Sequence, residues 1–111
     1  MPTDLKKRYG QNYLIDQNVL SKISNLIHSD NLKILEIGPG DGRLTDKIIS
    51  RKPSLLTLVE IDKDLIKNLN DKYSYNKIIK LVNEDILNYE IKKDYDLIIS
   101  NLPYNISSQI L

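Results

Sequence analysis

Hydrophobic and polar positions along the chain change period several times, and each change marks a predicted element. Residues 1–15 show no periodicity and read as an arm. Asp16 has the character of a helix N-cap, and Val19, Leu20, Ile23, Leu26 and Ile27 follow at helical spacing, predicting a helix to about His28. A short apolar run over 33–37 predicts a first strand. It stops in Gly38-Pro39-Gly40-Asp41-Gly42 and resumes as Arg43-Leu44-Thr45-Asp46-Lys47-Ile48-Ile49, a helix that ends near Arg51 ahead of Pro53. Ser54–Glu60 reads as a second strand. Asp62 can cap a helix whose buried stripe is Leu65, Ile66 and Leu69, closed by the polar segment Asp71–Asn76. Ile78–Val82 predicts a third strand and Tyr95–Ser100 a fourth, with the connection over 86–93 left unassigned.

Strands that are near-continuous apolar runs and alternate with helices predict a mainly parallel sheet covered on both faces, a doubly wound α/β fold. Right-handed crossovers then bring the strand C-termini to one edge, where ligands of such sheets bind.

Composition narrows the class. The 111 residues carry 41% apolar and 28% charged side chains, an ordinary globular balance. There is no cysteine, hence no disulfide and no thiolate metal site. No run has the length of a membrane span and no secretory signal opens the chain, so the expectation is a cytoplasmic protein without membrane attachment. His28 is the single histidine and has no ligand cluster at metal spacing, so a helix-end residue is expected and no metal. Net charge is +1, split as +3 over residues 1–55 and −2 over 56–111. The densest basic spot, Lys6-Lys7-Arg8 beside Tyr9 and Tyr13, can serve as a phosphate-contacting arm or as a solvated terminus.

The candidate chemistry lies at the strand ends. Three glycines at alternate positions after a strand ending in Glu36 allow positive φ and close approach of a ligand to the backbone, with helix N–H groups beyond. A tight turn without ligand is the plainer reading. The spacing departs from the dinucleotide fingerprint, because the third glycine falls at Gly42 where that fingerprint needs it at 43. It also lacks a phosphate-loop lysine. Glu60, 18 residues beyond Gly42, ends the second strand and can accept ribose hydroxyls. Asp85 follows the third and can accept an adenine amino group. An adenosine without a phosphate chain is thus suggested, and S-adenosyl-L-methionine fits, its cationic sulfonium favoured by an acidic rim. Asn101-Leu102-Pro103-Tyr104 follows the fourth strand. The Asn101 side-chain carbonyl and a neighbouring backbone carbonyl can accept the two N–H groups of an exocyclic adenine amine and aim its lone pair; Pro103 stiffens the turn and Tyr104 can stack on a flipped-out base. Taken alone, the four residues equally suit a plain turn with a packed tyrosine.

Lys7–Leu14 (K-R-Y-G-Q-N-Y-L), Glu36–Thr45, Val59–Asp62, Glu84-Asp85 and Asn101–Ser107 together resemble the rRNA adenine N6,N6-dimethyltransferases, in order and spacing, over essentially the whole chain. G-Q-N-Y-L and N-L-P-Y-N-I-S are similar to the KsgA-type small-subunit branch. The resemblance implies a Rossmann-like class I S-adenosylmethionine-dependent methyltransferase that dimethylates N6 of adenosines in small-subunit rRNA during ribosome maturation. Its partner would be that rRNA or the pre-ribosomal small subunit, met as a monomer. It implies cofactor contacts from Asn12, Leu14, Glu36, Gly38, Gly40, Glu60, Ile61, Asp85, Ile86 and Asn101, and a catalytic set of Asn101, Pro103 and Tyr104. Asn12 and Leu14 enter by the resemblance alone. Residues 1–15 would be a cofactor- and RNA-contacting arm, and 16–111 part of the methyltransferase domain. Because the family continues with more strands and a helical C-terminal domain, the chain is expected to be a truncated form. It would stop in a helix after Tyr104 and leave the fourth strand as an exposed apolar edge. Two alternatives stand beside this reading: an NAD-dependent oxidoreductase, against which Gly42 argues, and a non-catalytic RNA-binding or ribosome-assembly factor.

Overall fold

The computed structural model describes residues 25, 27, 29–91, 94–102 and 105–110. The chain builds β1 (Lys33–Ile37), α1 (Arg43–Ile49), β2 (Leu55–Val59), α2 (Lys63–Tyr73), β3 (Ile79–Val82), β4 (Leu97–Leu102) and β5 (Asn105–Ile110). The helix predicted over 16–28 lies outside the described residues apart from Asn25, which is helical, and Ile27, which is buried in the core.

One sheet contains all five strands in the order β3-β2-β1-β4-β5. The first three pairings are parallel: Ile34 stands opposite Leu56 and Leu97, and Leu56 opposite Ile79. From β1 the chain steps outward to β2 and β3, then returns to the other side of β1 as β4. The reversal puts a topological switch point between β1 and β4, where an open α/β sheet forms its ligand crevice beyond the strand C-termini.

Alternation along the strands sorts the core into two clusters. Ile34, Leu56, Leu58, Leu97 and Ile99 point to one face and pack with Leu44 and Ile48 of α1 and Leu69 and Tyr73 of α2. Leu35, Val59 and Tyr95 form a smaller cluster on the other face, joined by the partly buried Val82, Ile86, Tyr89 and Ile98. The connection left unassigned by the sequence thus has a role, since Ile86 and Tyr89 cover that second face. A buried hydrogen bond of 2.7 Å joins Thr57 Oγ1 and the Tyr95 hydroxyl there. Asp62 caps α2 as predicted: its Oδ1 accepts from the backbone N–H of Asp64 at 2.8 Å and of Leu65 at 3.2 Å.

Two expectations fail at the C-terminal end. The fourth strand runs two residues later than predicted, through Asn101 and Leu102, and a fifth strand stands where a helix was expected. β5 pairs antiparallel with β4, Leu97 facing Ile110 and Asn101 facing Ile106. The physical reason is the edge itself. β4 presents a row of N–H and C=O groups on the side away from β1, and a following segment that lies back on it satisfies them. The apolar edge expected on β4 is therefore covered.

Candidate functional site

The glycine turn begins where β1 ends. Its ladder continues one residue further, the Gly38 N–H donating to the Val59 carbonyl at 2.9 Å, and then the backbone leaves the sheet. Gly38, Gly40 and Gly42 have φ of 70°, 61° and 90°, the left-handed region that side chains other than glycine avoid. The Gly42 N–H closes the turn onto the Pro39 carbonyl at 3.0 Å, and the Gly42 carbonyl accepts from Asp46 N–H at 2.8 Å to start α1. At Gly42 the constraint is steric as well: a Cβ would lie 2.6 Å from the Tyr73 hydroxyl.

Glu60 ties this turn to the end of β2. It is buried, and its carboxylate is bracketed by backbone donors, Oε1 accepting from Gly40 N–H and Oε2 from Asp62 N–H, both at 3.1 Å. Burial pushes the Glu60 carboxyl above its usual value, and the two N–H groups work against that rise. Each oxygen retains acceptor capacity for a ligand hydroxyl. The neighbouring Ile61 is exposed, an apolar side chain standing in solvent beside a buried carboxylate. From β3, the Asn83 side-chain amide donates to the Glu60 and Ile61 carbonyls at 2.9 and 3.2 Å, which fastens the third strand end to the second.

Asp85 is half-buried one turn further on. Its Oδ1 accepts from Leu87 N–H at 3.0 Å and its carbonyl from Asn88 N–H at 2.9 Å, shaping the turn in which Ile86 packs inward. The structure thus brings Gly38, Gly40, Glu60 and Ile61 together directly and links β3 to them through Asn83.

Glu36 lies apart from this group. It points into the sheet face beneath α1, has no exposed surface, and its Oε1 accepts from Thr45 Oγ1 at 2.5 Å. Its Oε2 is buried with no hydrogen-bond partner among the described residues. Burial pushes the Glu36 carboxyl up to about 8, against the Thr45 hydrogen bond and with added repulsion from Glu60, Asp46 and Asp41. At neutral pH it is largely a neutral acid locking β1 to α1. Asn101 lies within β4, one residue before its end. Asn12, Leu14, Pro103 and Tyr104 lie outside the described residues.

Three contributors escaped the sequence reading. Asn83 offered a visible signal, a polar amide at a strand end beside Asp85. Thr45 and Tyr73 offered none, because both sit at helical core positions and only the packed fold shows where their hydroxyls end.

The turn does not resemble a phosphate site. Arg43 has Nε 3.0 Å from Asp41 Oδ2, and Lys72, which also approaches the turn, has Nζ 2.9 Å from Asp46 Oδ2. Among the described residues, no group of His, Cys, Asp or Glu is arranged to hold a metal ion, and no helix is long and apolar enough to cross a membrane.

The family described as ribosomal RNA adenine dimethylase matches residues 3–111. A protein named ribosomal RNA small subunit methyltransferase A from Pelagibacter ubique (strain HTCC1062) is 46% identical over 109 residues, covering 96% of this chain and 41% of its own length. Its namesake in Mycoplasmopsis pulmonis (strain UAB CTIP) is 43% identical over 107 residues, covering 96% of this chain and 42% of itself. Among solved structures, the 23S rRNA methyltransferase ErmE is similar with a TM-score of 0.60 at 35% identity, over 68% of this chain and 31% of ErmE. A dimethyladenosine transferase from Plasmodium falciparum has the same fold, with a TM-score of 0.70 at 23% identity over 79% of this chain and 32% of that one. The chain therefore spans about two fifths of the length of these curated relatives. With a family match over nearly every residue and relatives more than 40% identical along it, the chain belongs to the ribosomal RNA adenine dimethylases.

Proposed function

We propose that the chain is the cofactor-binding part of an S-adenosylmethionine-dependent enzyme that dimethylates N6 of adenosines in small-subunit rRNA. The observation that carries the reading is the junction of the glycine turn with Glu60, two neighbouring strand ends fused through the Gly40 N–H at 3.1 Å. That junction suits a ribose: a buried carboxylate with spare lone pairs, against backbone that carries no side chain. The exposed Ile61 would cover one face of the adenine, with Ile86 nearby and Asp85 accepting from its amino group. Gly38 and Gly40 would line the methionine part, and Asn12 and Leu14, on an arm over 1–15, would close on it. Glu36 would act from behind, by holding β1 to α1. The carboxylates at the second and third strand ends, Glu60 and Asp85, would favour a cationic ligand over a pyrophosphate.

Bound S-adenosylmethionine supplies an electrophilic methyl group on a positively charged sulfur. The protein's part is to present a poor nucleophile correctly. The Asn101 side-chain carbonyl would accept one N–H of the target amine and a neighbouring backbone carbonyl the other, which draws the nitrogen toward tetrahedral geometry. Pro103 would stiffen this loop and Tyr104 would stack on the extruded base. The reading is supported by the place of Asn101 in the chain, one residue before the end of β4, the strand beside β1 at the switch point. The natural partner would be small-subunit rRNA or its precursor particle, met by a cytoplasmic monomer. Residues 16–111 would supply part of the methyltransferase domain.

The test is transfer of labelled methyl groups to small-subunit rRNA by the chain and by Asn101→Ala, with rRNA binding measured in parallel. The expected result is loss of transfer by at least about 100-fold with binding retained, the scale of losing one positioned polar group in a transition state. Transfer that survives the substitution contradicts the assignment. Binding without transfer in either protein supports a non-catalytic assembly factor instead.

A further inference from the structure

The glycine turn is held from outside as well as from the strand ends. Tyr73, at the end of α2, buries its ring in the main core and extends its hydroxyl to the start of α1. There the hydroxyl lies 3.1 Å from the Gly42 carbonyl and 2.5 Å from Asp46 Oδ1. The preceding residue joins it. Lys72 Nζ donates to Asp46 Oδ2 at 2.9 Å and to the Asp41 carbonyl at 3.4 Å, and stands 5.2 Å from the centroid of the Tyr73 ring. Two consecutive side chains of one helix thus engage Asp41, Gly42 and Asp46. All three belong to the turn that the cofactor reading needs, or to the first turn of the helix behind it. Gly42 leaves room for this contact and for nothing larger, since its absent Cβ would fall on the Tyr73 hydroxyl. Burial and the Asp46 carboxylate push the Tyr73 phenol upward, so it remains a neutral donor throughout the physiological range.

We propose that Lys72 and Tyr73 are positioning residues that fix the second half of the glycine turn from α2 and thereby set the turn's affinity for S-adenosylmethionine. The proposal rests on the reading of that turn as the cofactor site. Its physical basis is preorganisation. The turn backbone is held in a left-handed conformation at three glycines, and glycine loses more freedom on ordering than any other residue. A turn fixed before the ligand arrives avoids that loss at binding. The strand-end contacts restrain its first half, through Gly38 and Gly40; the second half is restrained by the α2 dyad.

The deciding experiment is calorimetric titration of the 111-residue chain with S-adenosylmethionine, comparing wild type with Tyr73→Phe, Lys72→Met and Tyr95→Phe. Tyr95→Phe is the matched control, because it removes a buried hydroxyl bonded to Thr57, on the opposite face from the turn. Tyr73→Phe should weaken binding by about threefold to tenfold and Lys72→Met by about twofold, the scale of one hydrogen bond and of a half-exposed ion pair. Tyr95→Phe should leave the affinity unchanged. Loss of a comparable hydroxyl with no change in affinity separates positioning from general loss of stability. Wild-type affinity in Tyr73→Phe overturns the proposal while leaving the cofactor reading intact. Should Tyr73→Phe not fold, Lys72→Met decides, because its side chain is half-exposed, and unchanged affinity there overturns the proposal. A wild-type chain that folds and does not bind removes the cofactor reading and the proposal together.

Discussion

Glu36 makes the chain's stability depend on pH in a direction opposite to that of an ordinary paired carboxylate. Its folded value is raised from 4.5 to about 8, so the folded state holds a proton that the unfolded chain releases. The contribution is fully present below pH 4.5 and is lost as pH rises toward 8. Between pH 5 and pH 8 the loss comes to about 3–4 kcal/mol, spread nearly evenly over the range. The side chain has no exposed surface, so solvent screening does not reduce that figure. Set against a domain stability of about 5–15 kcal/mol, it is a large fraction. Glu36→Gln tests the argument, because glutamine reproduces the shape and the Thr45 acceptor of the protonated acid and cannot ionise. Urea unfolding followed by far-ultraviolet circular dichroism at pH 5, 6.5 and 8 gives the two stability curves. The variant should match wild type within about 1 kcal/mol at pH 5 and exceed it by about 3 kcal/mol at pH 8. Glu60, also raised, leaves both proteins a shared residual slope, so the difference between the curves isolates Glu36. Parallel curves from pH 5 to pH 8 would refute the reasoning.

Gly42→Ala should destabilise the chain by at least about 2 kcal/mol in the same unfolding assay, combining the left-handed backbone with displacement of the Tyr73 hydroxyl. A loss under about 0.5 kcal/mol would show that the turn relaxes freely. Asp62→Ala should cost about 1 kcal/mol by removing the two capping acceptances at the start of α2, with Asp62→Asn recovering most of it. Equal losses in the two variants would mean that the Asp62 charge, rather than the cap, stabilises that helix.

Much of the fold was legible because its local rules agree with one another. Apolar strands alternate with helices, glycines stand where β1 must turn away from the sheet, and Asp62 caps α2 as its position suggested. The register of the sheet then follows from which face each strand buries. What the sequence hid were contacts between distant residues. The hydroxyls of Thr45 and Tyr73 reach Glu36 and Gly42 across 9 and 31 positions, and nothing in a helical period reveals where a hydroxyl at a core position ends. The resemblance implies a cofactor contact for Glu36; alternation turns its side chain beneath α1, with Leu35 and Ile37 on the opposite side. β5 was missed because Asn105–Ile110 carries no strong strand pattern, and its conformation answers to the open edge of β4 rather than to its own residues. The proposed role of Asn12 rests on family resemblance alone, since a sequence without periodicity has no physical signature of ligand contact.

The central claim is that the strand ends of this sheet form an adenosine site without a phosphate cradle. Calorimetric titration of the folded 111-residue chain with S-adenosylmethionine, with NAD as the control, tests it most directly. Saturable binding of S-adenosylmethionine with no heat from NAD is the predicted result. Binding of NAD in preference, or a chain that is folded by circular dichroism and binds neither, would contradict the claim.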